Sequence, residues 1–482
     1  MAIKRVKNFF REVPVRSVDV TDRVILFTLE QLNTPISLGM WLRWKYKDMS
    51  KCLVHPSQLR WQTAREDWCA INFFQKIKIA NPSARSACFR SWLDSEKACR
   101  ETNFLFKLRS QGKFSFPHET ERALQHCSEK IALWLGKYNP AKHASYCKHG
   151  SRSDTALPYR SANLVNKWQK DAKTSLSCRN YVLRNMPKGP DYYSTIFSET
   201  KESANYSQVP KNYYTERPIT IENRWNMYYQ LGLGYYMESK MKRSLGFTLA
   251  TQPDVNRMYV RNAQKFGLST VDFESASDRI SIDLVNEVFP VDWLEPMMAL
   301  RSDSIDFGKV FHLSKFSGMG NGFTFPMQTL IFWGLASYFS KTVSVFGDDV
   351  ILEREAYEPF VRVCTHLGLK VNLSKSFSVG PFFESCGVDV YNEREITPVR
   401  IRKVLDNVAD TMDMVKRLFE YFNRFDSNRR HVGRLIRFRD EIRALMPENL
   451  RFIGPPEALA FPGYPGEAKA HIIHPSYDFK RY

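Results

Sequence analysis

The sequence predicts an α+β fold, helical at both ends and strand-bearing in its centre. Three observations carry that reading. Apolar residues recur at helical spacing through residues 1–150, as in Trp61–Ile79 and Glu119–Leu135. Residues 266–392 alternate short strand-forming runs with helical stretches. Residues 400–445 return to helix and carry Arg429, Arg430, Arg434, Arg437, Arg439 and Arg443 within fifteen positions.

The remaining segments follow in order. Residues 150–215 are polar, basic and interrupted by Gly, Pro and Ser, which predicts loop-rich structure; Met186-Pro187-Lys188-Gly189-Pro190 is its strongest breaker. Trp225 to Lys242 reads as a helix with Met227, Leu231, Leu233, Tyr236 and Met241 among its apolar positions. Leu268 to Asp272 reads as a buried strand, and Ser277 or Asp278 as the cap of the helix after it. A helix is expected from about Thr324 to Phe339. The Pro/Gly clusters Gly454-Pro455-Pro456 and Phe461–Gly466 predict an irregular tail.

Composition narrows the partners. The 482 residues suffice for two or three subdomains. Seventy Lys and Arg against 51 acids give +19, which points to a polyanion. The 34 Phe, 22 Tyr and 10 Trp favour single-stranded nucleic acid, since rings stack on bases while cations follow phosphates. A basic soluble protein, or one that binds acidic lipid, is the plainer alternative. No run of 18 uncharged apolar residues occurs, so no membrane span is expected. The basic N-terminus lacks a signal peptide's apolar core, so a cytosolic protein is the simpler reading. Nine cysteines without a C-x-x-C pair fit free thiols in a reducing compartment. His126, Cys127, His143, Cys147 and His149 are candidate zinc ligands, but their spacing matches no common finger.

The chemistry concentrates around Val345-Phe346-Gly347-Asp348-Asp349-Val350-Ile351-Leu352. A glycine turn between two strand-forming runs puts adjacent carboxylates at a hairpin tip. Their repulsion is relieved by a divalent cation, and Mg²⁺ prefers carboxylate oxygen. Taken alone the tripeptide reads first as a solvated turn. Four further elements accompany it. Asp272 ends its strand and Asp278 follows just past the turn, where an Asp also serves as a plain cap. Ser317-Gly318-Met319-Gly320-Asn321-Gly322 is a flexible loop, functional or merely a turn, that lacks the P-loop pattern. Lys375 follows the hairpin, where it can act as a general acid toward pyrophosphate or simply be solvated. Lys211 and Arg217 lie upstream on an extended segment, able to grip a triphosphate.

The order of these elements resembles the palm of a template-directed RNA polymerase. The chain is similar to the RNA-dependent RNA polymerase subunits (replicases) of the small positive-strand RNA bacteriophages, the leviviruses. Asp272–Ser281, Ser317–Phe325, Val345–Leu352 and Gly380–Gly387 carry the resemblance. Arg224-Trp225-Asn226-Met227, Gln230-Leu231-Gly232 and Thr397-Pro398 add to it. It spans roughly residues 209–402.

The resemblance implies a right-hand polymerase with an antiparallel-sheet palm. Residues 1–265 would be fingers, with a basic fingertip at about 205–225. Residues 266–398 would be palm, with a fingers insertion at about 290–316, and 399–482 thumb and tail. It implies that Asp272, Asp348 and Asp349, with the carbonyl of Phe273, bind two Mg²⁺ (Mn²⁺ being possible). Asp272 and Asp348 are the expected bridging ligands, and Asp349 the less direct one. Asp278 would read the ribose 2′-hydroxyl. Its usual Asn partner on the following helix is missing, which leaves Asn321 or Gln328. Lys211 and Arg217 would contact the triphosphate, Lys375 would protonate pyrophosphate, and Ser317 and Gly318 would lie beside the templating pair. The basic helices after 400 would hold the product duplex by its phosphates.

The implied substrates are an RNA template and NTPs, in the cytoplasm of an infected bacterium. The implied host partners are elongation factors Tu and Ts and a ribosomal RNA-binding protein. Initiation would be primer-independent, with Tyr464, Tyr477 and Tyr482 of the tail stacking near the first nucleotide. Two rivals stand beside this reading. A reverse transcriptase usually has an aromatic and then a variable residue before the two acids, where this chain has Phe346-Gly347. The other rival is a non-catalytic RNA-binding protein on a polymerase-like palm.

Overall fold

The computed structural model describes residues 20–79, 81–169, 172–425, 432–451, 453–454 and 461–462. Arg429, Arg430 and the tail tyrosines fall outside them. The chain forms two compact units. One comprises 1–81, 210–214 and 396–482; the other comprises 82–209 and 215–395. The cores thus partition the chain differently from a contiguous 1–265, 266–398 and 399–482.

The first unit is helical. Val20–Leu32, Pro35–Lys45 and Ala64–Asn72 share one core with Val408–Phe425 and Val432–Ala444. Val24, Leu29, Phe73 and Phe74 pack with Met412, Val415, Leu418 and Phe438. Backbone bonds fasten the two ends together: Ile401 N donates to the Phe73 carbonyl at 2.8 Å and Lys78 N to the Arg402 carbonyl at 3.0 Å. Phe27 stacks on Phe438 with ring centroids 3.8 Å apart. The basic stripe is less uniform than its sequence suggests. Arg434 and Arg437 are exposed, but Arg439 is buried and donates to the Pro462 carbonyl at 3.0 Å.

The second unit holds the strands that matter for the site. They are β1 (Ala204–Pro210), β2 (Glu216–Ile221), β3 (Leu268–Val271), β4 (Ser304–Asp306), β5 (Val310–His312), β6 (Ser344–Phe346), β7 (Asp349–Glu353), β8 (Phe382–Ser385), β9 (Val388–Tyr391) and β10 (Arg394–Glu395). One antiparallel sheet runs β3-β7-β6. β4 and β5 belong to a separate sheet, ordered β2-β1-β4-β5. β8-β9-β10 form a third, antiparallel sheet.

The helix Thr324–Phe339, found where the sequence places it, lies in the middle of this unit's core. Its apolar residues face all round, as a helix buried on several sides requires. Phe332, fully buried, stacks on Phe273 at 4.2 Å. The stretch 150–215 is more ordered than expected: Leu164–Gln169, Leu176–Asn185 and Pro190–Ile196 are helices. Buried polar clamps explain this. Asp154 takes Arg224 Nε at 3.0 Å and lies 3.8 Å from Lys167 Nζ, while Asn226 Oδ1 accepts from Ser175 N at 2.9 Å. The Met186–Gly189 breaker does separate two helices.

The candidate zinc set is not gathered. His143 Nδ1 meets the Tyr138 hydroxyl at 2.6 Å and its Nε2 the Tyr229 carbonyl at 2.8 Å, which occupies both ring nitrogens. His126 Nε2 meets Ser337 Oγ at 3.1 Å, and Cys127 donates to the Ile331 carbonyl.

Candidate active site

The hairpin forms as its residues dictate. β6 and β7 pair with Phe346 opposite Asp349, leaving Gly347-Asp348 as a two-residue loop. Gly347 has φ +63°, and glycine first in such a loop is the type II′ pattern. A Cβ there would also lie 2.4 Å from the Phe325 ring, so the position admits only glycine on two counts. Gly347 N donates to Thr329 Oγ1 at 3.1 Å, which ties the tip to the central helix. Beneath it lies a polar network that the sequence did not disclose. Gln252 donates to Ser344 Oγ at 2.7 Å, Ser344 to Asn256 Oδ1 at 2.6 Å, and Asn256 to the Asp349 carbonyl at 3.3 Å.

The sheet brings the third acid alongside. β3 pairs with β7 so that Val271 faces Val350, and continuing that register by one sets Asp272 opposite Asp349. On the other side of β3, isolated bridges join Thr270 to Phe377 and Phe273 to Val371. The segment 371–377 is thereby laid against Asp272. Asn372 Nδ2 donates to Asp272 Oδ2 at 3.0 Å, and Lys375 Nζ stands 3.8 Å from the same oxygen. The lysine is more than half exposed.

The acids feel one another. Burial first, then the charges of Asp348 and Asp272, hold the Asp349 carboxyl well above the usual carboxylate range. The Cys386 thiol, which donates to Asp349 Oδ2 at 3.6 Å, pulls the other way. Glu384 is a fourth member that the sequence reading missed. Its carboxyl is raised by burial, then by Asp389, Asp349 and Asp272, and lowered by Lys375. The available signal was an acid in a strand-forming run ending in Cys386-Gly387. In the β8–β9 register Glu384 faces Asp389, a like-charge pair that a sheet does not tolerate cheaply.

This donor set fits a hard divalent cation. Carboxylates are the ligands Mg²⁺ prefers, and their mutual repulsion is what such a cation relieves. Among the described residues no three His, Cys, Asp or Glu side chains are already in an arrangement ready to hold an ion.

The other expected residues lie as follows. Asp278 is not the helix cap: Ser281 Oγ accepts from Leu284 N, while Asp278 sits in the short 3₁₀ turn Ala276–Arg279. The side chain it contacts in this structure is Lys315. Lys315 Nζ meets Asp278 Oδ1 at 2.6 Å. Asn321 Oδ1 instead accepts from Phe323 N at 3.0 Å, and Gln328 is buried in the central helix. Ser317 Oγ pairs with Thr324 Oγ1 at 2.6 Å. Arg217 is exposed on β2 in this unit, whereas Lys211 belongs to the helical unit.

The glycine loop has a packing reason. A Cβ on Gly318 would lie 2.6 Å from Thr220 Oγ1, one on Gly320 2.0 Å from the Thr220 carbonyl, and one on Gly322 2.5 Å from Leu231 N. Thr220 N donates to the Met319 carbonyl at 2.8 Å. These glycines let β2 and the helix Arg224–Leu245 press onto the loop.

Fold and site together define an α+β protein with an acidic centre on an antiparallel sheet. The chain belongs to the RNA replicase, beta-chain family, whose model matches residues 72–451, more than three quarters of its length. The match extends well beyond the stretch in which motifs were legible. The chain is similar to the RNA-directed RNA polymerase subunit beta of Enterobacteria phage SP, at 29% identity over 70% of this chain and 60% of that one. It is also similar to the subunit beta of Escherichia virus Qbeta, at 37% identity over 44% of this chain and 38% of that one. The matches thus span about 60% or less of these relatives' own lengths. Among solved structures it resembles an insertion-loop deletion mutant of the RNA-dependent RNA polymerase of a human picorbirnavirus. There the TM-score is 0.46 and the identity 14%, over 86% of this chain and 89% of that one.

Proposed function

We propose that the chain is an RNA-directed RNA polymerase that copies a single-stranded phage RNA by two-metal nucleotidyl transfer. The single observation that carries this is the Asp272–Asp348–Asp349 grouping, set together by the β3-β7-β6 register in a member of the replicase family.

Asp272 and Asp348 would hold the ions, with Asp349 and the Phe273 carbonyl beside them. When bound, divalent cations supply charge stabilisation at the attacking and leaving oxygens. The chain's own residues do the rest. Asn372 fixes the Asp272 carboxylate through its 3.0 Å bond. Lys375 would give a proton to departing pyrophosphate, a reading that its exposed position 3.8 Å from Asp272 supports. Arg217, exposed on β2, would take the triphosphate. Asp278 would accept the ribose 2′-hydroxyl. Ser317 and Gly318 would flank the templating pair, and the glycine loop, clamped by Thr220, would keep its shape there.

In the right-hand description, the β3-β7-β6 sheet is palm. The placement of β4 and β5 in the separate sheet supports an insertion at about 290–316. The helices after 400 would be thumb, with the exposed Arg434 and Arg437 suited to phosphate contact and the buried Arg439 not.

No described helix is long and apolar enough to cross a membrane. The place of action would be the cytoplasm of an infected bacterium, with elongation factors Tu and Ts and a ribosomal RNA-binding protein as partners and primer-independent initiation. The test is incorporation of labelled NTPs on a phage-type RNA without primer, in Mg²⁺, with and without the two factors. Absence of template-dependent product under every condition sinks the proposal. Product from dNTPs in preference to NTPs would instead favour a reverse transcriptase.

A further inference from the structure

We propose that Lys315 is a positioning residue for sugar selection: it pins one oxygen of Asp278 and leaves the other as acceptor for a ribose 2′-hydroxyl. This rests on the polymerase reading above and adds to it a residue from outside the expected motifs.

The geometry is a buried acid–base–acid group. Lys315 Nζ lies 2.6 Å from Asp278 Oδ1 and 3.6 Å from Glu96 Oε1. The lysine side chain is 1% exposed, Glu96 2% and Asp278 7%. An ammonium without access to water must keep its partners, because burying an unpaired charge costs several kcal/mol. Trp92 covers another side, with Nζ 4.9 Å from its ring centroid. Lys315 therefore has no alternative position to swing to.

The two acids are not equivalent. Glu96 spends Oε2 on the backbone N–H groups of Ser314, at 2.7 Å, and Lys315, at 3.4 Å. It thus anchors the segment after β5 that carries the lysine. Burial raises the Glu96 carboxyl above its ordinary value, against the opposing pull of the Lys315 ammonium and the two N–H bonds. Asp278 has the shorter contact with the ammonium, 2.6 Å against 3.6 Å.

Asp278 is also held from behind. Its carbonyl accepts from Cys99 Sγ at 3.3 Å, and its N–H donates to the Ser275 carbonyl at 2.8 Å. Backbone and Oδ1 are thus fixed, while Oδ2 has no partner among the described residues. A carboxylate with one oxygen tethered and the other open is an oriented acceptor. The same lysine lies close to the glycine loop: a Cβ on Gly318 would lie 3.5 Å from its Nζ.

A plain structural staple predicts a different result from a positioning residue. A site that hydrogen-bonds a substrate hydroxyl rejects the analogue lacking it by a large factor, and that factor depends on the acceptor's aim. The experiment measures kcat/KM for one NTP and its matching dNTP on an RNA primer–template. It compares the full wild-type chain with Lys315→Met, Glu96→Gln and the double variant Glu96→Gln/Lys315→Met. The double variant removes one buried negative charge with the lysine, so it serves if the single variant does not fold. Thermal midpoints are recorded alongside.

Lys315→Met, or the double variant, is expected to lower the NTP/dNTP ratio by about tenfold or more, mainly through the NTP. Glu96→Gln is expected to hold the ratio within about threefold, because it leaves the Lys315–Asp278 contact in place. NTP and dNTP incorporation falling in parallel in a folded variant without the lysine overturns the proposal and leaves a staple. A wild-type chain that incorporates neither nucleotide overturns the polymerase reading itself, and the role of Lys315 with it.

Discussion

Two acidic groups lie in the same unit and begin six residues apart on one segment, yet they are compensated in opposite ways. Asp278 has a cation from the chain itself, Lys315 at 2.6 Å, enclosed with Glu96. Beside Asp272, Asp348 and Asp349 stands Lys375, 3.8 Å from Asp272 and more than half exposed, while Glu384 adds a further negative charge. Coulomb attraction weakens with distance and with water between the charges, so Lys375 offsets little. The difference separates two uses of an acid. Where the protein supplies the cation, the acid becomes a fixed acceptor. Where it supplies only an exposed one, the acids would, on the proposed function, be left for a cation that arrives with the substrate.

The largest effect that tests this contrast is on catalysis. Asp348→Asn should lower nucleotide incorporation by about a thousandfold or more, because ion-held charge stabilisation is lost with the ligand. RNA binding, measured by filter retention, should stay within about threefold, since phosphate contacts dominate that affinity. Asp278→Asn should cost far less incorporation and act mainly on the preference for NTP over dNTP. Equal losses from the two substitutions would erase the distinction between the groups.

The two groups also differ in how far the sequence disclosed them. The hairpin was legible because every determinant is local: two strand-forming runs, a glycine, two acids. Asp272 was legible as the end of a buried strand, and the central helix Thr324–Phe339 from its apolar run. Lys315 was not. A lysine in Leu313-Ser314-Lys315-Phe316 reads as surface, and its burial depends on Glu96, 219 positions earlier in the chain. Ser281, not Asp278, caps its helix, a choice between neighbouring candidates that propensity alone does not make. The core shared by 20–77 and 399–450 was hidden for a similar reason. An amphipathic helix reveals that a face is buried, but not what buries it.

A second measurement separates the groups without any catalysis. Mg²⁺ should raise the thermal midpoint of the wild-type chain. Binding to the folded state alone, at a hundred times Kd, contributes about 2.7 kcal/mol, or a few degrees for a unit of this size. Asp272→Asn or Asp348→Asn should abolish most of that rise. Asp278→Asn should leave it intact, because its carboxylate is already paired with Lys315. A rise that survives Asp348→Asn places the cation elsewhere. In chelator, Asp349→Asn should stabilise the chain by about 1 kcal/mol, since it removes a buried charge that faces two others.

A further test concerns a buried group with no counter-charge among its described contacts. His143 is fully buried between the Tyr138 hydroxyl and the Tyr229 carbonyl, and burial lowers its pKa to about 4. If charge is buried in this unit only where a partner is supplied, His143 must stay neutral in the folded state. The sign follows from linkage. Below about pH 6.5 the unfolded chain binds a proton at this position that the folded chain refuses until about pH 4. The contribution to stability is therefore complete above pH 6.5 and lost as pH falls toward 4. Between pH 7 and pH 5 the loss amounts to about 2 kcal/mol. His149, lowered to about 4 as well by burial and then by Lys167 and Arg224, adds a loss of the same sign. Urea titrations at the two pH values should show His143→Gln shifting the pH 7 to pH 5 change in stability by about 2 kcal/mol relative to wild type, whatever its cost at pH 7. An unchanged pH slope would mean that the folded chain accepts the proton at His143. The comparison of self-compensated and uncompensated charge would then no longer describe this core.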